Sequence, residues 1–591
     1  MRTLLVTLNA KYIHSSLALR YLKYYIKEKA GFNADILEFS INNNILEMLQ
    51  DIYSYKPEII GFACYIWNIE MTRQLISLIK SVMPEVKIIF GGPEVSYEPE
   101  SLMMIDKNID YIISGEGEKP FLSLLTKIYN NDKLSLEPGI VFIDDAKVVN
   151  GGIYTLDNLN ELIFPYNEEE ISSSKDKIIY YESSRGCPFS CQYCLSSATV
   201  GVRFLNVRRV IDELKFFVGQ KVKQVKFVDR TFNVNKKHFM PILKFIAEQE
   251  CETNFHFEVS ADLLDADVLE LLKTMPKQRV QLEVGVQSTN EKTLQAINRT
   301  HDFKKIEENV VELLKFNNIH LHLDLIIGLP YEDVKTFAKS FNDVYNLKPH
   351  ALQLGFLKIL KGSKIFYDKE QHEYCYMSVA PYQVLKNKYL TYEETCHLII
   401  LEDLFEKIYN AGRLKNLESY LIKNYYKNSA FNFYNELTLY WQEQNLHRVA
   451  LSVKSLYENI FSFCKEQFPG NIAIISELFK FDLLKYDNKN INLKFLKWNN
   501  EEYNEEIIAF WRNEEKVIKY IPEYVFATWR EIKNKYHIEV FRDLDSVDGI
   551  KACDTEMLIV LFMLEDNSVK VITREDFYGK THGIPHWDNG L

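Results

Sequence analysis

Three of the chain's nine cysteines, Cys187, Cys191 and Cys194, stand in one run, Ser184-Arg185-Gly186-Cys187-Pro188-Phe189-Ser190-Cys191-Gln192-Tyr193-Cys194. Iron-sulfur clusters are usually held by four thiolates, so a tight trio without a nearby fourth can bind three irons of a cubane and leave the last open to a small molecule. A structural zinc site wants four closed ligands, commonly two Cys-x2-Cys pairs, and only one such pair is present. An odd number of cysteines in a long chain with no sign of secretion argues against a disulfide framework. Cys64, Cys251, Cys375, Cys396, Cys464 and Cys553 are scattered and read as small buried hydrophobes.

A chain of 591 residues is too long for one core and predicts about three or four domains. Its 47% hydrophobic and 26% charged residues are those of a globular protein. No apolar run approaches the roughly 20 residues of a membrane helix, and Met1-Arg2-Thr3-Leu4-Leu5-Val6 enters a strand too soon for a signal peptide. The expected location is the cytoplasm, where thiols stay reduced. A net charge of -12 argues against nonspecific nucleic-acid binding.

Apolar runs at Thr3-Leu8, Ala34-Phe39, Ile59-Ala63, Lys87-Phe90 and Tyr111-Ser114, separated by helical patterns, predict a parallel sheet with helices on both faces. Ligands of such sheets sit beyond the carboxyl ends of the strands. Those ends carry Tyr65, Trp67 and Asn68, then Gly91, Gly92 and Pro93, then Gly115, Glu116 and Gly117. Glycines at a strand end let the backbone approach a bulky ligand, so these residues are the candidate cofactor contacts of the first domain. An acidic stretch from Asp157 to Lys177, with Glu168-Glu169-Glu170, reads as a solvated connection.

A second series follows, with strands expected at Ile178-Ser183, Gln224-Asp229, His256-Ala261, Val280-Val286, His320-Ile327 and Ala351-Phe356 and a helix at Val207 to Val218. Six such units make an incomplete parallel barrel. Active groups of βα barrels sit at the carboxyl ends of the strands, which selects Asp229, Glu258, Ser260, Glu283, Gln287, Asp324 and Lys358.

The Cys-x3-Cys-x2-Cys spacing, with Tyr193 before the last cysteine, resembles the radical S-adenosylmethionine (SAM) enzymes. Asn9-Ala10-Lys11-Tyr12-Ile13-His14-Ser15-Ser16, Gly91-Gly92-Pro93-Glu94-Val95 and Asp110 to Glu118, upstream of the trio, resemble the cobalamin-binding domain of the cobalamin-dependent members. The sequence lacks the Asp-x-His-x-x-Gly motif that ligates cobalt from below in some cobalamin domains, so His14 is not expected to be a metal ligand. The resemblance implies an α/β fold: a Rossmann-like cobalamin-binding domain over 1–140, a linker over 141–177, a partial (β/α)6 barrel over 178–364 and a mainly α-helical extension over 365–591. It implies a 4Fe-4S cluster, SAM and cobalamin as cofactors; Leu282-Glu283-Val284-Gly285-Val286-Gln287-Ser288 and Ala296-Ile297-Asn298-Arg299-Thr300-His301 resemble the region that contacts SAM, which makes Glu283, Gln287 and Arg299 the preferred ligands, and Tyr193 and the strand-end residues Glu258, Ser260 and Asp324 are expected beside them.

By the same resemblance the reduced cluster cleaves SAM to a 5′-deoxyadenosyl radical, and a carbon of the substrate takes a methyl group from methylcobalamin. A flavodoxin or ferredoxin is the implied electron donor. Modification of a tRNA base, a radical rearrangement, or a cluster sensor without catalysis are the alternatives, and a peptide or small metabolite is an equally open substrate. Beyond residue 365, helical stretches are expected at Leu401 to Leu414, Phe431 to Gln444 and Ile472 to Leu484, then a strand-rich end with Ile538-Phe541, Glu556-Phe562 and Trp587.

Overall fold

The computed structural model describes residues 2–198, 201–487, 493–525, 528–544, 546–551 and 557–578. The chain divides into two compact units, residues 1–395 and 396–591.

The first unit opens with a seven-stranded sheet: β1 (Thr3–Asn9), β2 (Ala34–Ser40), β3 (Ile59–Ala63), β4 (Lys87–Gly91), β5 (Tyr111–Ile113), β6 (Ile140–Asp144) and β7 (Lys147–Asn150). The order is β2-β1-β3-β4-β5-β6-β7, with β1 to β5 parallel and the last two antiparallel. Alternation along each strand feeds two cores. Leu4, Val6, Leu8, Ile60, Phe62, Ile88 and Phe90 pack on one face, and Leu5, Ile59, Ala63 and Ile89 on the other. Covering both faces is why these strands read as unbroken apolar runs.

The sheet continues beyond residue 140, so β7 and a short helix, Glu168–Ser173, occupy what the sequence predicts as a linker. Glu170 is not a solvated linker residue: it lies 3.2 Å from Arg20 Nε and 2.6 Å from Lys23 Nζ. Arg20 is 4% exposed, and a buried guanidinium requires the carboxylates of Glu170 and Glu38 around it.

The second sheet of this unit is all parallel: β8 (Ile179–Tyr181), β11 (Gln224–Phe227), β12 (Asn254–Val259), β13 (Val280–Gln287), β14 (His320–Ile327) and β15 (Ala351–Phe356), in the order β15-β14-β13-β12-β11-β8. Sequential order with crossover helices gives the expected six-stranded open barrel. A hairpin of β9 (Ser184–Gly186) and β10 (Val202–Phe204) flanks the cysteine loop. Residues after the barrel still belong to this unit. Ile365 and Val384 share a core with Leu329 and Leu357, and the Tyr382 hydroxyl donates to Glu94 of the first sheet's domain.

The second unit is mainly helical, including Lys415–Tyr425, Ala430–Glu443, Val453–Gln467 and Ile472–Tyr486, and ends in an antiparallel sheet of Tyr536–Phe541, Leu558–Met563 and Ser568–Val571. The helix expected over 401–414 is interrupted: Tyr392–Phe405 runs into a π-turn at Glu406–Asn410, and Gly412 turns left-handed. Cys553, Glu556 and Trp587 lie outside the described residues. Among those described, no helix is long and apolar enough to cross a membrane.

Candidate active site

The cysteine loop leaves β9 and returns through β10, with Gly186 paired to Val202. Gly186 has a φ of +108°, and a Cβ there would meet the Gly201 carbonyl at 2.2 Å, so only glycine closes the base of this loop. The loop is pinned by Gln192 N to Ile297 O (2.9 Å), Ile365 N to Gln192 O (2.9 Å) and Asn298 Nδ2 to Ser190 O (3.2 Å). Cys187, Cys191 and Cys194 thereby line one cavity of ≈170 Å³, whose described lining holds no fourth cysteine and no histidine. Arg299 closes one side. Its Nη1 lies 3.5 Å from Cys191 Sγ and 3.3 Å from the Tyr193 hydroxyl, Nε donates to His301 Nδ1 (3.2 Å), and Nη2 donates to the Gly285 carbonyl. Burial pushes the Cys187 thiol up. Three thiols in one cavity with one flanking cation fit a cluster with an open iron.

Strands β12, β13 and β14 bring Glu258, Ser260, Glu283, Gln287 and Asp324 into the same cavity, Glu283 and Asp324 from the middle of β13 and β14 and the others from the carboxyl ends. Beneath them, Lys226 Nζ and His256 Nε2 lie 3.1 and 2.9 Å from Glu283, and His322 Nε2 lies 2.9 Å from Asp324. Burial opposes ionisation of Glu283, but His256 and Lys226 outweigh it and hold the carboxyl down at about 2. Burial instead pushes Glu258 up to about 7. Asp324 is also raised by burial, against the pull of His322. The cavity therefore offers one fixed anion and two carboxyls with high proton affinity.

A second cavity, of ≈420 Å³, lies between the carboxyl ends of β3 to β5 and the mouth of the barrel, and it falls in the size range of cofactor pockets. Tyr65, Gly91, Gly92, Pro93, Gly115, Glu116 and Gly117 line it. Apart from Arg230, its charged groups neutralise one another. Glu116 meets Arg203 at 2.6 Å and Arg185 at 3.0 Å, and Arg185 also holds Glu118 and Glu182. What remains for a ligand is apolar and glycine surface, which fits a large, weakly charged macrocycle. No histidine or cysteine is in the described lining, and His14 bonds Tyr180 through Nδ1 at 2.7 Å instead.

Three families match the chain: a B12 binding domain over residues 3–125, the Radical SAM superfamily over 181–344, and a protein of unknown function (DUF4080) over 370–562. The chain carries a B12-binding domain followed by a Radical SAM domain. It is similar to the cobalamin-dependent radical SAM methyltransferase TokK of Streptomyces tokunonensis, 25% identical over 326 residues that cover 50% of this chain and 46% of TokK. The chain thus spans about half the length of the curated relatives it matches first. Its fold is that of two solved cobalamin-dependent proteins. One is OxsB with aqua-cobalamin bound (TM-score 0.56, 14% identity, 82% of this chain and 79% of that one). The other is TsrM from Kitasatospora setae with cobalamin and a 4Fe-4S cluster bound (TM-score 0.53, 17% identity, 64% and 76%).

In this radical SAM protein most of the sequence-predicted site residues fall on one of the two cavities, and four fall elsewhere. Trp67 is 44% exposed, donates to the Leu8 carbonyl (3.1 Å) and stacks on Tyr65 at 4.5 Å. Asn68 is fully buried, its amide spent on Leu8 O and Ala63 O and its oxygen on Tyr65 N. Asp229 accepts from Ser183 N, Ser183 Oγ and Ser184 Oγ, and Lys358 bridges in the backbone to Gln383. Sequence reasoning missed Arg230, which borders both cavities. The expected strand ran to Asp229, but β11 stops at Phe227, and the turn after it places Arg230 where the strand-end rule looked for Asp229. Lys226, His256 and His322 were also missed, although the alternation His320-Leu321-His322-Leu323-Asp324 puts polar residues on one face of β14.

Proposed function

We propose that this chain is a cobalamin-dependent radical SAM methyltransferase acting on an unactivated carbon. The observation that carries the reading is that the cysteine cavity and the glycine-lined cavity share a border at Arg230, so two cofactors would face one substrate space. When bound, the cluster with SAM supplies hydrogen abstraction and the corrinoid supplies a methyl group.

The chain's part is placement. Cys187, Cys191 and Cys194 hold the cluster, and the pinned loop keeps their spacing. Glu283 is the fixed anion for the SAM amine or sulfonium side. Glu258, Gln287 and Asp324 accept from or donate to its hydroxyl and amino groups, while Ser260, whose hydroxyl is given to Asp262 at 2.6 Å, shapes the wall. Tyr193 and Arg299 flank the cysteine sulfurs. Tyr65, Gly91, Gly92, Pro93, Gly115 and Gly117 lie along the corrinoid, with Trp67 and Asn68 holding Tyr65 in place and Glu116 fixing Arg203 and Arg185. The electron donor is of flavodoxin or ferredoxin type.

The test is anaerobic reconstitution with iron, sulfide and hydroxocobalamin, reduction, and addition of SAM with a deuterated methyl group. Mass spectrometry should find both 5′-deoxyadenosine and the labelled methyl on the corrinoid. 5′-Deoxyadenosine without corrinoid would keep a radical enzyme and remove the methyl carrier. Neither product would remove the reading.

A further inference from the structure

Four arginines border the two cavities, and three are fully engaged. Arg185 is held by Glu116, Glu118 and Glu182, Arg203 by Glu116 and the Leu156 carbonyl, and Arg299 by Cys191, Tyr193, Gly285 and His301. The fourth, Arg230, is exposed to the cavities, and no hydrogen bond or ion pair among the described residues engages its guanidinium. It stands at the seam: among the described residues it alone lines both the cysteine cavity and the glycine-lined cavity.

An arginine presents five donors in a planar fork that matches a carboxylate or phosphate bidentately. Leaving that fork empty is out of keeping with its neighbours: Arg185 and Arg203 are held by carboxylates, and Arg299 by the Cys191 sulfur, the Tyr193 hydroxyl, the Gly285 carbonyl and His301. Glu258, the carboxyl of the cluster cavity that faces Arg230 electrostatically, keeps its proton up to about pH 7 because it is buried, so it does not neutralise the guanidinium at lower pH.

Resting on the proposed methyltransferase reading, we infer that Arg230 is the substrate anchor and that the substrate carries an oxyanion, a carboxylate or phosphate, held at the seam between the two cavities. A bidentate clamp there fixes one end of the substrate while its reacting carbon faces both cofactors. This favours an anionic small molecule, or a residue of a larger molecule that bears such a group, over a neutral substrate.

The experiment uses the wild-type holoprotein, with iron, sulfide and corrinoid contents measured first. Phenylglyoxal is applied anaerobically, and the adduct at Arg230 is quantified by peptide mass spectrometry, with Arg230→Gln as the blank. Arg230 should label readily, and neither corrinoid loading nor SAM should change the yield. Inorganic phosphate or acetate should protect it saturably, with about a tenfold loss of adduct at about ten times the half-protecting concentration. Protection by SAM would assign Arg230 to the cosubstrate carboxylate, and protection by corrinoid loading would assign it to the corrinoid. Either result overturns the inference, as does an unreactive Arg230 or an absence of protection by both anions. Failure to take up iron or corrinoid at the outset counts instead against the proposed cofactors, and is read before any label is added.

Discussion

The two cavities are both built on parallel strands, yet their walls offer opposite surfaces. Around the glycine-lined cavity, Glu116, Glu118, Glu182, Arg185 and Arg203 spend their charge on one another, and the ligand meets shape. Around the cysteine cavity, Cys187, Glu258, Glu283 and Asp324 face inward with displaced proton affinities, and a ligand would meet charge. One wall therefore responds to a change in backbone clearance and the other to a change in donor atoms. Substitutions should separate the two.

The largest effect is expected from Cys191→Ala, which removes a proposed cluster ligand. Iron, sulfide and the cluster's absorbance should be lost while corrinoid uptake stays near wild type; joint loss would mean that the two cavities are not independent. Gly92→Ala should do the converse. Gly92 has a φ of +111°, and a Cβ would sit 2.5 Å from the Cys64 carbonyl oxygen. The strain of about 1–3 kcal/mol falls on the cavity rim and should weaken corrinoid binding roughly tenfold or more, with iron content unchanged.

Arg299→Ala is a finer test of the charged wall. A donor to Cys191 Sγ stabilises the more negative, reduced cluster, so its loss should lower the one-electron potential; a tenfold fall in the reduced fraction corresponds to about 59 mV. An EPR-monitored redox titration reads this directly, and Arg299→Lys should recover part of it. An unchanged potential at full iron content would leave Arg299 a purely structural clamp.

The smallest effect is in pH dependence. Glu258 keeps its proton up to about 7 in the folded protein, against about 4.3 in an unfolded chain. The folded state thus binds the proton more tightly. The contribution of Glu258 to stability is complete below about pH 4.3 and is lost as pH rises through about 7. Relative to Glu258→Gln, the wild-type melting temperature should fall by about 2 °C across that window. A difference independent of pH would contradict the burial of an ionisable Glu258.

Much of this contrast is legible in the sequence, and the parts that are not have physical reasons. β3 matches its expected bounds because Ile59-Ala63 is apolar on both faces and bounded by turns, and β14 and β15 match theirs because buried and less buried residues alternate along them. The three cysteines carry their own spacing, so their meeting is local. The pairing of Glu170 with Arg20, some 150 residues apart, is not local and leaves no periodic trace, so an acidic stretch looked solvated. Gly92 and Gly115 announce close approach, and besides lining the cavity they are approached by the backbone of Cys64 and Tyr154, which no strand pattern foretells. Arg230 escaped because a strand that ends two residues early shifts which side chain stands at its mouth.

The central claim is that a cluster and a corrinoid face each other across one seam. The most direct measurement is EPR of the reconstituted protein carrying cob(II)alamin, recorded with the cluster oxidised and then reduced. The account predicts that reduction of the cluster broadens or splits the cob(II)alamin signal through coupling of two nearby spins, and that the effect vanishes in Cys191→Ala. A cob(II)alamin signal of full intensity that does not change when the cluster is reduced would contradict it.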